Sequence, residues 1–226
     1  MGSEGPISVT IHITGFGKFH GVPDNPTEVI VSNLKGFLKR RGNPLPSGIN
    51  IGSCTILDAA GDGSLPLLYN IMESSISNSE SLTTDSLNNN EQVIWLHFGV
   101  SGGAKEFAVE RQAYDEATFR CPDAHGWQPQ QLPIVPEDGE ISRTRQTSLS
   151  VEGIVKQLKK KCFDVVLYDD ADRFVCNYVY YHSLRFAEQK GHKSLFVHVP
   201  SFSRIDEDTQ MEFAASLLES LTLNYH

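Results

Sequence analysis

Short runs of β-branched residues alternate with stretches of helical periodicity, and this alternation limits the possible fold more tightly than any other feature of the chain. It is typical of βαβ units around a largely parallel sheet, and 226 residues are enough for one such domain, which we expect to span 1–226. The predicted strands are 7–14, 49–57, 93–100, 163–170 and 194–200. The predicted helices are 27–40, 65–75, 150–161, 174–190 and 207–221.

Two kinds of segment interrupt this pattern. The stretch 74–90 is rich in Ser and Asn, which favours a polar surface loop within the domain. Basic clusters at 39–41 and 159–161 fall at predicted helix C-termini, where cations complement the helix dipole, so we interpret them as solvated helix ends.

Charge and cysteine content exclude several classes of protein. A net charge of -9 argues against nucleic acid as a partner, and no apolar run reaches the roughly 20 residues that a membrane-spanning helix needs. The four cysteines form no Cys-x-x-Cys pair, which favours reduced thiols and a cytoplasmic location. Cys121 and His125 supply only two of the four ligands of a structural zinc site, so we expect no metal or other cofactor.

Cys176 is the first candidate for chemistry. It lies in the predicted first turn of the helix 174–190, where the helix dipole and free backbone N–H groups favour a reactive thiolate and can stabilise an oxyanion. A lone cysteine among apolar residues is more often a packing residue, so its position alone leaves both interpretations open.

His198 and Glu110 are candidate partners of this thiol. His198 ends the strand that Pro200 terminates, and the carboxyl ends of parallel strands line ligand crevices. We expect Cys176, which follows the preceding strand, to share that edge. Glu110 follows the strand 93–100 and its glycine turn, where it can orient an imidazole, although a glutamate beside Arg111 is usually a surface ion pair.

The glycine-rich segment 14–22 allows two interpretations. Gly15-x-Gly17 is a weak dinucleotide signal, because His20 occupies the third glycine position and no acidic residue follows at the right distance. Phe16 and Phe19 in such a loop indicate either the wall of an apolar pocket or a loop anchored to the core.

Four motifs in one order resemble the type I pyroglutamyl peptidases, which are cytosolic cysteine peptidases that remove N-terminal pyroglutamate. "TGFGKFHGVPDNPT" resembles the family's opening Thr-Gly-Phe-x-x-Phe with Asn-Pro-Ser/Thr, and "HFGVSGGAKEFAVERQA" resembles its Gly-x-x-Gly-Gly turn and Glu-Arg-x-Ala. "DDADRFVCNYVYYHSL" resembles Asp-Ala-Gly-x-Phe/Tyr-Val/Leu-Cys-Asn, and "FVHVP" resembles the histidine strand. The resemblance covers nearly the whole chain.

This resemblance implies a fold, a site and a substrate class. The fold is a three-layer α/β/α sandwich around a mixed, mainly parallel sheet, and the substrates are N-terminally pyroglutamylated peptides; the oligomeric state stays open. The family's catalytic cysteine, histidine, glutamate and active-site arginine fall on Cys176, His198, Glu110 and Arg120. The residues assigned to substrate binding are Phe16, Phe19, Val100, Phe174 and Val175.

The chain departs from the family pattern at two positions. Asp172 replaces the glycine of Asp-Ala-Gly, and Tyr168 stands where a serine is common. A side chain at a glycine position restricts the backbone, and an added carboxylate four residues before Cys176 opposes thiolate formation. A weak or inactive homologue that binds peptides is therefore the alternative to a peptidase, and a nucleoside phosphorylase-like enzyme on a related sheet is a more distant one.

Overall fold

The computed structural model describes residues 8–19, 21–81 and 91–222, which form one central sheet with helices on both faces. The helices are α1 (Pro26–Arg40), α2 (Gly61–Ser81), α3 (Val151–Lys160), α4 (Val175–Lys190) and α5 (Glu207–Thr222). The strands are β1 (Ser8–Phe16), β2 (Ile49–Leu57), β3 (Glu91–Val100), β4 (Phe107–Glu110), β5 (Gln112–Tyr114), β6 (Glu116–Ala117), β7 (Leu132–Pro133), β8 (Thr144–Gln146), β9 (Val165–Tyr168) and β10 (Lys193–Val199). None of the helices in the described part of the chain is long and apolar enough to cross a membrane.

The central sheet has the order β2-β1-β3-β10-β4-β9, and two small antiparallel sheets of two strands each, β5-β8 and β6-β7, lie outside it. β1, β2, β3 and β10 run parallel to one another, whereas β4 pairs antiparallel with β10 and β9 pairs parallel with β4. β4 and β9 therefore run against the other four strands. The expectation of a mixed, mainly parallel sheet is confirmed.

Two hydrophobic cores lie on opposite faces of this sheet. α1, α3 and α5 cover one face, where the aliphatic sides of the strands pack against them around the stacked rings of Phe107 and Phe213. α2 and α4 cover the other face, whose core is rich in aromatic rings, among them Trp95, Phe196 and Tyr180. The second face carries the site described below.

The prediction of a loop over 74–90 is wrong for its first part, because α2 continues to Ser81; the stretch 82–90 lies outside the described residues. Serine is accommodated there because its hydroxyl bonds to carbonyls of the preceding turn. Ser75 Oγ donates to Met72 O at 2.7 Å and Ser77 Oγ donates to Glu73 O at 3.1 Å. Ser75 Oγ also accepts from the indole N–H of Trp95, which anchors this part of the helix to the sheet.

Two features near the site differ from the sequence-based expectation. β4 was not predicted, because its four residues are too short a run for a period-two pattern to be recognised. β9 runs opposite to β10, so the end of β9 does not lie at the edge where β10 ends. Cys176 reaches that edge because the segment 169–174 turns back before α4 begins.

Candidate active site

The register of the sheet sets the floor of the site. His198 of β10 lies opposite Gly99 of β3 and Ala108 of β4, and residues opposite one another in a sheet point to the same face. A Cβ built on Gly99 would lie 2.8 Å from Cys176 Sγ and 2.6 Å from the ring of Phe196. Only glycine therefore leaves room for the sulfur directly above β3, beside the strand that carries the histidine.

Cys176 is the second residue of α4, and its predicted position in the first turn of this helix is confirmed. Phe174 is the N-cap, and its ring provides no hydrogen bond to the amides of the first turn. The first residues of α4, Val175 and Cys176, line the cavity, and the amides of a helix N-terminus carry a partial positive charge. The helix end therefore suits both a thiolate and a developing oxyanion.

His198 interacts with both Glu110 and Cys176. Its Nδ1 donates to Glu110 Oε1 at 2.7 Å. Burial alone would lower the pKa of His198, but its interactions with the side chains of Cys176 and Glu110 outweigh burial and raise the pKa to about 10. The arrangement thus favours an imidazolium between a sulfur and a carboxylate.

Glu110 is buried, with 1% of its surface exposed, so the alternative of a surface ion pair with Arg111 is wrong. Arg111 instead pairs with Asp169 and Glu152 at the surface. Tyr180 donates a hydrogen bond to the backbone carbonyl of Glu110 and so helps to hold the carboxylate in position. Oε2 of Glu110 is buried and has no hydrogen-bond partner among the described residues, so the defined interaction of this carboxylate is the contact of Oε1 with His198.

The glycine-rich segment is held by the Asn-Pro-Thr motif at the start of α1. Thr27 Oγ1 accepts from the backbone N–H of Phe16, and Asn25 Nδ2 donates to Gly17 O. A Cβ on Gly15 would lie 2.6 Å from Thr27 O, so glycine permits this close approach. These contacts fix the backbone that presents Phe16 and Phe19 to the cavity.

Aromatic rings form one side of the cavity. Phe16 and Phe174 are almost fully buried, and the Phe19 and Phe174 ring centroids lie 6.3 Å apart. The guanidinium of Arg120 lies over the Phe174 ring at 4.8 Å. This side therefore offers flat apolar surfaces with one cation at its margin.

Asp172 occupies the position where a glycine was expected from the family pattern. Its φ is +67°, in the left-handed region that favours glycine but that aspartate adopts more readily than most residues. Its carboxylate accepts from Arg120 at 2.6 Å and from the backbone N–H of Arg173 at 2.7 Å. The added negative charge is therefore paired with a cation at the margin of the cavity.

A cavity of about 490 Å³ brings together all nine residues that the sequence singled out. The structure adds residues to which sequence analysis assigned no separate role: Gly99 beneath the sulfur, and Ala108, Val166 and Asn25 in the cavity wall. Gly99 and Asn25 belong to the quoted motifs, whereas the position of Ala108 beside the histidine follows only from the register of β4. Among the described residues there is no cluster of three or more His, Cys, Asp or Glu side chains suited to a metal ion.

A buried polar chain lies beneath the site. His97 is hydrogen-bonded through Nδ1 to Thr14 Oγ1 and through Nε2 to Ser183 Oγ, each at 2.7 Å. Ser183 Oγ is in turn hydrogen-bonded to Ser194 Oγ at 2.8 Å. Burial lowers the pKa of His97 to about 3, so its imidazole is neutral, with one nitrogen donating and the other accepting. The chain ties β1, β3, β10 and α4 together one layer below Cys176 and His198.

Known proteins resemble this chain in sequence and fold. A family model described as pyroglutamyl peptidase matches residues 54–220. The pyrrolidone-carboxylate peptidase of Pyrococcus furiosus is 27% identical over 190 residues, which cover 83% of this chain and 79% of that protein. The protein of the same name from Enterococcus faecalis is 34% identical over 128 residues, or 55% and 57% of the two chains.

Solved structures share the fold. Pyroglutamyl peptidase I of Bacillus amyloliquefaciens superposes with a TM-score of 0.77 at 21% identity, with 95% of this chain and 97% of that chain covered. The pyrrolidone carboxyl peptidase of Thermococcus litoralis has the same TM-score at 22% identity and covers 96% and 94% of the two chains. Because the family model matches well over half of the sequence, the chain belongs to the pyroglutamyl peptidase family of cysteine peptidases.

Proposed function

We propose that this protein hydrolyses the amide bond after an N-terminal pyroglutamyl residue, with Cys176 as nucleophile, His198 as acid and base, and Glu110 as the group that orients the imidazole. The observation that carries the proposal is the hydrogen bond between His198 and buried Glu110, in a cavity that also contains Cys176 and is walled by phenylalanines. Family membership supports the same reaction.

The reaction follows from this geometry in two steps. The Cys176 thiolate attacks the pyroglutamyl carbonyl, the carbon–nitrogen bond breaks, and His198 gives its proton to the departing amine. Water then attacks the thioester as His198 takes a proton from it, which releases pyroglutamate and restores the thiolate. In this mechanism the first-turn amides of α4, whose residues Val175 and Cys176 line the cavity, stabilise the oxyanion in both steps. One such donor typically contributes about 3 kcal/mol.

Selection of pyroglutamate rests on its missing charge. The lactam ring is flat and neutral, so Phe16, Phe19 and Phe174 accept it at little cost, whereas an ordinary N-terminus would bring an ammonium ion into an apolar pocket. Val100 and Val175 line the same cavity and extend its apolar surface. Arg120, held over Phe174, closes the margin of the ring pocket.

The alternative of an inactive homologue is not favoured. Its basis was the Asp172 carboxylate near the thiol, and that carboxylate is paired with Arg120 and occupies a backbone conformation that aspartate tolerates. A cytoplasmic location is supported by the four cysteines, all of which are free.

Replacement of the nucleophile tests the proposal. We expect Cys176→Ala to abolish hydrolysis of a chromogenic pyroglutamyl amide, and iodoacetamide to inactivate the wild-type enzyme with incorporation at Cys176. Cys54→Ala is the matched control, since Cys54 is also half-buried but lies on β2 outside the cavity, and it should retain activity. Turnover by Cys176→Ala, or none by the wild type, would refute the assignment.

A further inference from the structure

The sulfur of Cys176 divides the cavity into two halves. On one side lie β1 and the phenylalanine walls, and on the other side lie β4 and β9, beyond the strand that carries His198. The order β1-β3-β10-β4-β9 places Gly99, over which the sulfur sits, between the two halves. A substrate bound across the sulfur must therefore extend in both directions.

The direction of the substrate follows from the position of the acid. His198 protonates the departing amine, so the leaving group has to lie on the His198 side of the sulfur. This orientation rests on the proposed function, which places the pyroglutamyl ring among the phenylalanines. The residue after pyroglutamate then lies over β4 and β9.

The floor of that half is apolar. In the sheet register, Ala108 lies opposite both His198 and Val166, and Tyr168 lies opposite Glu110 in the next row, on the same face. Tyr168 has 54% of its surface exposed, more than any other large hydrophobic residue in the described part of the chain. A small residue, a valine and an open aromatic ring thus form a shelf beside the acid.

Charges at the rim of this half are balanced. Lys105 and Glu106, of opposite sign, come from the loop after β3, whereas Asp170 is paired with Arg173 and Asp172 with Arg120. Neither positive nor negative charge dominates around the shelf. The apolar floor is therefore the feature that discriminates between leaving groups.

We propose that Ala108, Val166 and Tyr168 form the subsite for the residue that follows pyroglutamate, and that this subsite selects large apolar side chains, aromatic ones above all. Contact with the shelf removes apolar surface of the substrate from water during acylation. All substrates form the same pyroglutamyl enzyme intermediate, so the deacylation step has the same rate for every substrate. The preference therefore appears in kcat/KM, which reports acylation, more than in kcat where deacylation limits turnover.

Dipeptide amides that differ only in the second residue test this subsite. We expect kcat/KM for pyroglutamyl-phenylalaninamide to exceed that for pyroglutamyl-serinamide by about tenfold in the wild type. In Tyr168→Ser the ratio should fall to about twofold. Leu132→Ser is the matched control, because Leu132 is also a large exposed hydrophobic residue but lies on β7 outside the cavity, and it should keep the wild-type ratio.

The outcomes separate the two proposals. If the wild type hydrolyses both amides with equal kcat/KM, or if Tyr168→Ser keeps the tenfold ratio, the subsite assignment is wrong while the peptidase assignment stands. If the wild type hydrolyses neither amide nor a simple pyroglutamyl amide, the proposed function and the subsite are refuted together.

Discussion

At the scale of single residues, protonation of His198 affects the stability of the fold and, in the proposed mechanism, the activity. Its pKa is raised to about 10, above the 6.5 of an unperturbed histidine, so the imidazolium persists through neutral pH. A raised pKa means that the folded state binds the proton more tightly than the unfolded state does. The stabilising contribution of this proton is therefore complete below about pH 6.5 and is lost as the pH rises through about 10.

Removal of the Glu110 charge should move this transition. The carboxylate and its hydrogen bond are among the causes that raise the pKa of His198, so in Glu110→Gln that pKa falls. We expect the alkaline limb of the kcat/KM profile to shift to lower pH and kcat/KM at neutral pH to fall by roughly 100-fold. Glu152→Gln, which changes an exposed carboxylate outside the cavity, serves as the control. An unmoved alkaline limb in Glu110→Gln would contradict the orienting role.

The reactive residues of the candidate site are easier to predict from the sequence than the small residues that make room for them. Cys176, His198 and Glu110 are recognisable because their chemical types are few and their motifs are ordered along the chain. The roles of Gly99 and Ala108 could not be predicted, because what matters there is a missing or small side chain. Only the register of β3, β10 and β4 shows which neighbours occupy the space left free.

At the scale of elements, Asn177 fastens the start of α4 to the segment after Glu110. Its Oδ1 accepts from Tyr114 N at 2.8 Å, and its Nδ2 donates to Tyr114 O and to Glu116 O at 2.9 and 3.0 Å. The side chain is fully buried, so its loss leaves three backbone groups without partners.

We expect Asn177→Ala to lower the free energy of unfolding by about 3 kcal/mol in urea denaturation, about 1 kcal/mol for each lost hydrogen bond. Gln189→Ala, at an exposed position of the same helix, should change it by less than about 0.5 kcal/mol. Equal effects of the two substitutions would mean that the three hydrogen bonds contribute nothing to stability.

Elements with a strong period could be predicted, and elements defined by tertiary contacts could not. α1 has its Asn cap, its proline in the first turn and a regular apolar face, so its predicted start lies within one residue of the observed one. The serine-rich end of α2 lacks such signals, and its contact with Trp95 is invisible in the sequence. The direction of β9 depends likewise on its pairing with β4, a strand too short to detect.

At the scale of the whole molecule, ion pairs join the three helices of one face. Glu219 of α5 accepts from Arg41, which follows α1, and from Lys161, which follows α3; Arg41 also binds Glu212. The interpretation of the two basic clusters as solvated helix ends is therefore wrong for Arg41, whose side chain is only 13% exposed. The sequence shows that cations end both helices, but not that a third helix brings a shared carboxylate between them.

This junction, the ion pairs of Glu219 with Arg41 and Lys161, should make the stability of the protein sensitive to acid. Burial acts to raise the pKa of Glu219, but its hydrogen bonds to Lys161 and Arg41 prevail and hold the pKa below its ordinary value of 4.5. Its stabilising contribution is thus present above about pH 4.5 and is lost as the pH falls further. We expect Glu219→Gln to cost about 1–2 kcal/mol at pH 7 and much less near pH 3, by urea denaturation. Glu188→Gln, which removes a mostly exposed partner of Arg145, should cost little at either pH, and an equal cost would contradict the role of the junction.

The chain of hydrogen bonds through His97 also bears on how the sheet assembles. If β3 slipped by one residue against β1, the imidazole would turn to the opposite face and enter an aliphatic core that offers it neither Thr14 nor Ser183. A mispaired sheet would thus bury a polar ring without partners, which disfavours that competing structure. The same register of β1, β3 and β10 also places His198 opposite Gly99, over which the sulfur lies. The hydrogen bonds of His97 therefore favour both the correct sheet and the correct spacing of thiol and imidazole.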